Sequence, residues 1–374
     1  MMSESIIETL PGFLQEAWKK SGFTAFTPIQ KQMLPNALEN RNIIAEAPTG
    51  SGKTVAYLLP ALNKLNKNIK QAQIIVVVSS RELAMQILSE VQAWTEGSGY
   101  SSTALIGGAN VKRQEEKLKK KPAIIIGTPG RLLEHIESKK LKMHEVSTLI
   151  LDEADQLFAK EHITGIDKLI KTVKRDCQKL IVSATIPPRI EKQAEERVDN
   201  PDIIRIRMDK EMLKNMEHVY LVGERRDKTK LLQKLVQIEG FYGIAFCNDR
   251  NELQTYGERL EYKAKKIALL QGETNKQERE AAMQKFRNRE IPLLLATDVA
   301  SRGLDLHDLT HVVQLDLAND VHQYVHRSGR TARAGKKGVV VSIVTEGEKE
   351  RLLQIGDTLG LTLTQKRLSH GRLV

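Results

Sequence analysis

Short, uninterrupted runs of Ile, Val and Leu recur along the whole chain, and they constrain its fold more than any other feature. The first half holds NIIAE (42–46), QIIVVVS (73–79), AIIIGT (123–128), STLILDEAD (147–155) and KLIVSAT (179–185). The second holds YGIAFCN (242–248), KIALL (266–270), IPLLLATD (291–298), HVVQLD (311–316) and GVVVSIVT (338–345). A strand with one wet face alternates apolar and polar residues, whereas a strand covered on both faces does not need to. Amphipathic stretches such as 81–95 and 110–120 fall between the runs, which is the β–α alternation of a doubly wound parallel sheet. A length of 374 residues is enough for two such domains, at roughly 150 residues each. The polar stretch at 206–216 is the expected linker, dividing a first domain at 1–205 from a second at 217–374. The halves are alike in pattern but not in sequence.

Composition removes several classes. Runs such as Ile74–Val78 are far shorter than the roughly 18 apolar residues of a membrane span, and MMSESIIETLPGF lacks the features of a secretion signal. Cys177 and Cys247 are the only cysteines, too few for a disulfide framework or a multi-cysteine zinc site. A cytoplasmic enzyme is the expectation. The net charge of +11 is shared: residues 1–205 carry 29 basic and 24 acidic side chains (+5), the remainder 29 and 23 (+6). A polyanion lying across both halves accounts for that, because basic side chains release phosphate counterions. The run Lys117–Lys121 reads as a solvated helix end.

Ala47-Pro48-Thr49-Gly50-Ser51-Gly52-Lys53-Thr54 follows an expected strand and precedes a helical pattern, the context of a phosphate-binding loop. Glycines let backbone N–H groups converge on phosphates at a helix N-terminus. Lys53 reaches the β- and γ-phosphates, and Thr54 can ligate Mg²⁺. Asp152-Glu153-Ala154-Asp155 ends another strand, beside the phosphate loop in a sheet of this kind. Asp152 would hold Mg²⁺ through water, and Glu153 would orient and deprotonate the attacking water.

Together these two segments resemble the DEAD-box RNA helicases of superfamily 2, and the resemblance runs from about Gly22 to Gly338. It implies an α/β fold of two RecA-like doubly wound parallel-sheet domains. Gly22-Phe23 … Thr27-Pro28-Ile29-Gln30 resembles the adenine-reading Q motif; a Gln amide both donates to and accepts from an adenine edge, and Phe23 would stack on the ring. Phe26 stands where the family has Pro. Ser79-Ser80-Arg81-Glu82-Leu83-Ala84 resembles an RNA-contacting segment in which Pro-Thr is usual. Gly107-Gly108 and Thr128-Pro129-Gly130-Arg131 match further backbone-contacting motifs, so Arg81, Gly108, Thr128 and Arg131 are candidate RNA contacts. Ser183-Ala184-Thr185 matches the motif that couples the carboxylates to the second domain.

In the second half, Ala296–Asp305 resembles the fifth motif, with Thr297 implied on RNA phosphate and Asp305 on the ATP ribose. His326–Gly335 (HRSGRTARAG) implies arginine fingers at Arg330 and Arg333, three apart and so able to share a helical turn, with His326 in the network between the carboxylates and the second domain. Asn248, in Phe246-Cys247-Asn248, and Arg279 are implied RNA contacts. Asp249 stands where Thr is common, and Lys276 where the family has Gln.

The resemblance implies an ATP-dependent RNA helicase that binds ATP and Mg²⁺ and grips the RNA backbone with little sequence preference. RNA-stimulated hydrolysis and local unwinding of short duplexes follow from it, with no membrane or DNA partner expected. It is to short bacterial members with little beyond the helicase core, and it suggests precursor ribosomal particles as targets. An RNA clamp that hydrolyses ATP without unwinding, or a DNA helicase with the same machinery, are the competing readings.

Overall fold

The computed structural model describes residues 2–48, 50–206, 213, 216–261, 267–270, 276–298, 306, 308–332, 337–369 and 371–374. The chain divides into two compact units, Met1–Arg207 and Met208–Val374. The first contains strands β1 (Ile43–Glu46), β2 (Ile74–Val77), β3 (Ser102–Leu105), β4 (Ile124–Gly127), β5 (Thr148–Asp152), β6 (Gln178–Ser183) and β7 (Asp202–Arg205). They form one sheet in the order β3-β4-β2-β5-β6-β1-β7, and every neighbouring pair is parallel.

The second unit contains β8 (Met216–Val222), β9 (Gly243–Cys247), β10 (Ile267–Leu270), β11 (Leu293–Thr297), β12 (His311–Gln314), β13 (Gly338–Val344) and β14 (Leu363–Gln365). Its order is β10-β11-β9-β12-β13-β8-β14, again all parallel. Adding seven to each strand of the first sheet gives the second. A small antiparallel pair, Leu368–Ser369 with Arg372–Leu373, follows.

Each sheet has apolar packing on both faces. Ile74 and Val76 belong to one core with Ile43, Ile124 and Val182; Ile75 and Val77 belong to the other with Ile44, Ile125 and Ile181. In the second unit Ile244 and Phe246 face one core, Ala245 and Cys247 the other. Such side chains are fully buried, and truncating one to Ala costs about 2–5 kcal/mol. This is why the apolar runs are continuous. The strands that the runs do not mark are β3, β7, β8 and β14. β3, β7 and β14 are sheet edges, and β7 and β14 keep exposed residues.

Candidate functional site

In the first unit, the chain leaves the C-terminal ends of β1, β6 and β5 beside one another. Ala47 stands where the first loop glycine is usual; it is fully buried and its N–H donates to Ser183 O at 3.1 Å, so it extends β1 along β6. After Pro48 the loop turns through Gly50 (φ 79°) and Gly52 (φ 88°). Gly52 is required twice: its φ is left-handed, and a Cβ would fall 2.5 Å from Gln30 Nε2. The helix Lys53–Asn63 begins there. Lys53 Nζ donates to Ala47 O (2.6 Å) and Pro48 O (2.9 Å), which holds the ammonium over its own loop. Ser51 Oγ is buried without a hydrogen-bond partner among the described residues, and backbone and hydroxyl donors at a helix N-terminus suit phosphate. Thr49 lies outside the described residues.

Gln30 is locked to this loop. Its Nε2 donates to Gly52 O at 3.2 Å, and its Oε1 accepts from Thr27 N at 3.0 Å. Thr27 and Pro28 start the helix Pro28–Leu38 with Pro at its first position. Phe23 is 46% exposed and lies against Trp18 and Trp94, with ring centroids 5.5 and 6.4 Å away. Phe26 packs its ring edge on Trp18 at 4.9 Å, which gives the departure from Pro a packing role.

At the end of β5, Asp152 is 5% exposed. Tyr57 OH donates to its Oδ2 (2.9 Å) and Glu153 N to its Oδ1 (2.8 Å). Burial pushes the Asp152 carboxyl up from its ordinary value, against the pull of Lys53, Tyr57 and the Glu153 N–H. Tyr57, one turn after Lys53, was not marked by any motif; the signal was its place at i+4 on the same helix face. Glu153 itself adopts φ 55°, ψ 51°, a left-handed conformation unusual for a side-chain-bearing residue and typical of functional sites. Ser183 Oγ donates to Asp155 Oδ1 at 2.8 Å, joining β6 to the acidic segment.

The candidate RNA contacts gather at the other strand ends of the same sheet. Three helices begin there: Arg81–Trp94 after β2, Val111–Lys119 after β3 and Pro129–Glu137 after β4. Ser80 Oγ caps the first through Leu83 N (3.2 Å), Asn110 Oδ1 caps the second through Arg113 N (3.2 Å), and Thr128 precedes the third. Arg81 lies over Gly107-Gly108: a Cβ on Gly108 would meet its guanidinium at 2.3 Å. Arg131 Nη1 donates to Ala109 O at 3.1 Å. Three N-terminal helix ends and two guanidinium groups make this edge attractive to phosphate.

In the second unit the centre is Arg327, fully buried although its role was not foreseen. Its Nε and Nη2 donate to the two carboxylate oxygens of Asp298 (2.9 and 2.6 Å), Nη1 to Asp316 O (2.8 Å) and Nη2 also to Asn248 Oδ1 (2.6 Å). Asn248 Nδ2 donates to Leu317 O (2.9 Å) and its N–H to Asp316 Oδ2 (3.0 Å), so the Asn248 amide ties strand ends together. Asp249 Oδ1 accepts from Asn251 N and Glu252 N and so caps the helix Arg250–Glu261 where Thr is common. Thr297 ends β11 and is 8% exposed.

Arg330 Nη2 donates to His326 Nε2 at 3.1 Å; guanidinium has no acceptor, so Nε2 carries the lone pair. The expectation that Arg330 and Arg333 share a helical turn is corrected here. The helix Val321–Ser328 ends before Arg330, Gly329 is its C-cap, and Ala332 turns left-handed (φ 54°). Arg333 and Asp305 lie outside the described residues, as does the side chain of Arg279. Both thiols are buried: burial pushes Cys177 up to about 11 and Cys247 well above its ordinary value. Packing is their role.

Residues 27–193 match the DEAD/DEAH box helicase family, and residues 227–335 the helicase conserved C-terminal domain. The chain is 46% identical over 370 residues to the DEAD-box ATP-dependent RNA helicase CshC of Bacillus cereus, covering 99% of this chain and 95% of that one. It is 45% identical over 361 residues to the probable ATP-dependent RNA helicase YfmL of Bacillus subtilis, covering 96% of each. Among solved structures, Saccharomyces cerevisiae Dbp5 bound to RNA and ADP BeF3 superposes with a TM-score of 0.86 at 27% identity, over 97% of this chain and 95% of that one.

Proposed function

The chain belongs to the DEAD-box ATP-dependent RNA helicases, and from that premise we propose that it hydrolyses ATP in an RNA-stimulated manner and opens short RNA duplexes locally. One observation carries this reading: a single sheet end holds the phosphate loop with Asp152 and Glu153 on β1, β6 and β5, and three helix N-termini with Arg81 and Arg131 on the neighbouring β2, β4 and β3. Nucleotide and polyanion sites so close on one rigid scaffold are suited to mutual influence.

In this reading Lys53 and the loop N–H groups hold the β- and γ-phosphates, and Gln30 and Phe23 meet the adenine. Glu153 takes the proton of the attacking water. Among the described residues no three His, Cys, Asp or Glu side chains gather as a metal cage. Mg²⁺, which when bound neutralises phosphate charge, would be held by Asp152 and the Thr54 hydroxyl, largely through water. The second unit contributes Arg330 and Arg333 to the γ-phosphate, Asp305 to the ribose, and Thr297 and Arg279 to the RNA backbone. His326, which accepts from Arg330, positions that finger. Backbone contacts carry no base sequence, which suits structured targets such as precursor ribosomal particles.

The test is steady-state ATP hydrolysis without nucleic acid, with single-stranded RNA, and with DNA of the same sequence, followed by displacement of a short RNA duplex. RNA alone is expected to stimulate, and Glu153→Gln to abolish turnover while ATP and RNA still bind. Equal rates in all three conditions would refute RNA coupling. Stimulation without displacement would leave an RNA clamp.

A further inference from the structure

Ser79 is a departure from the family pattern that the proposed function does not use. It stands where Pro is usual, and its hydroxyl donates to Glu153 Oε2. The contact follows from sheet register. Val77 of β2 pairs with Leu151 of β5 in a parallel ladder, so two residues further along each strand Ser79 is opposite Glu153. The backbone of Glu153 is left-handed at this point.

The second sheet repeats the arrangement. Phe246 of β9 pairs with Gln314 of β12, and two residues further on the Asn248 N–H donates to Asp316 Oδ2 at 3.0 Å. Both helices that follow begin four residues after the paired strand residue, at Arg81 and Arg250. A donor on a carboxylate is thus what this position provides in both units. In the first unit, a proline at residue 79 would have neither a hydroxyl nor an N–H to offer.

We propose that Ser79 is a positioning residue that holds the Glu153 carboxylate at the seam between the nucleotide and RNA halves of the sheet end, and that RNA docking on the Ser79-Ser80 turn releases it. This rests on the role given to Glu153 above. A hydroxyl donating to a carboxylate fixes where its oxygens point. The next residue, Ser80, caps the helix that starts the candidate RNA edge. A phosphate oxygen arriving there is a competing acceptor for the Ser79 hydroxyl, and a carboxylate released from that hydroxyl is able to turn toward the attacking water. RNA-free hydrolysis is accordingly restrained by Ser79.

The experiment uses the full chain and measures kcat with saturating ATP, with and without single-stranded RNA, in Ser79→Ala, Ser79→Pro and Ser79→Thr. Loss of one charge-assisted hydrogen bond corresponds to roughly a 3- to 10-fold rise in the RNA-free kcat of the Ala and Pro variants. The KM for ATP and the RNA-stimulated kcat of both variants are expected to match the parent, so that the stimulation by RNA falls by the same factor. Ser79→Thr retains the hydroxyl and is expected to keep the parent rate. An RNA-free kcat in Ser79→Ala that is unchanged or lower overturns the proposal. If Glu153→Gln hydrolyses ATP normally, the role of Glu153 falls and the proposal with it. If Glu153→Gln is inactive and Ser79→Ala behaves as the parent, the proposal alone falls.

Discussion

The two sheets run their strands in one order, yet a Lys-Thr pair that begins the first helix of each meets opposite surroundings. In the first unit Lys53-Thr54 follows a six-residue loop with Gly50 and Gly52 in left-handed conformations, and the lysine bridges loop carbonyls. In the second, Lys228-Thr229 follows a shorter connection filled by the 3₁₀ turn Arg225–Asp227. Lys228 is 3% exposed and lies 3.6 Å from Asp316 and 3.4 Å from Glu348. Asp316 occupies the register of Glu153. On the same scaffold the first lysine holds its own loop's carbonyls, whereas the second lies buried against Asp316 and Glu348. Topology alone does not shape such a loop; the left-handed glycines of the first have no counterpart in the 3₁₀ turn of the second.

The largest effects should separate the two lysines. Lys53→Ala is expected to reduce ATP turnover by about 10²–10³-fold, as for loss of one preorganised charge at a reacting phosphate, with thermal stability preserved. Lys228→Ala leaves Asp316 and Glu348 without their cation, and removing one partner of a buried pair costs about 3–5 kcal/mol. Urea unfolding would show that loss in the second unit. Inactivation of Lys228→Ala with full stability would erase the contrast.

A smaller effect follows from the strands themselves. The first sheet has no histidine in its strands, whereas β8 contains His218 and β12 begins with His311. His311 is 8% exposed, its ring stacked on Phe241 at 4.7 Å. Burial pulls its pKa from 6.5 down to about 4, with Glu217 pulling the other way. The folded imidazole stays neutral where the unfolded one is already protonated. Its contribution is thus complete above pH 6.5 and is lost progressively as pH falls toward about 4, reaching about 3 kcal/mol. His311→Thr installs the residue at the same register in the first sheet, Thr148. Stability of the second unit, measured by urea titration between those pH values, should then flatten, with a residual slope from His218, whose pKa burial also lowers. An unchanged slope would remove His311 as the source.

These contrasts also show what the sequence could tell. Continuous apolar runs marked the strands covered on both faces, because burial is what the pattern reports. They missed β7 and β14 because these edge strands keep exposed residues, and β3 because Ser102 and Thr103 interrupt its apolar run. They missed β8 because Glu217 and His218 interrupt its apolar run. The phosphate loop and the acidic segment were legible because their chemistry needs fixed residue types at fixed spacing. Arg327 and Tyr57 were not, since each acts through partners distant in sequence: Asp298 and Asn248 for one, Asp152 for the other. Ser79 was visible only as a departure, and the bond to Glu153 required the register of β2 on β5.

The finest comparison lies in two tyrosines. Tyr57 OH donates to Asp152 Oδ2 at 2.9 Å, and Tyr256 OH donates to Asp316 Oδ1 at 3.3 Å. Burial, first among the causes, pushes both phenols up, so each remains a donor at neutral pH. In Tyr57→Phe the Asp152 carboxyl loses one of the groups that oppose its burial. With that donor to its charged form gone, the carboxyl moves further up. The acid limb of kcat under saturating RNA should move to higher pH, with a higher magnesium requirement at pH 6. Tyr256→Phe removes a longer bond to a carboxylate that Lys228 already compensates, so it should cost the second unit about 1 kcal/mol and leave the pH profile in place. If both variants shift the profile alike, Asp316 takes part in turnover and the second sheet end is not the closed counterpart of the first.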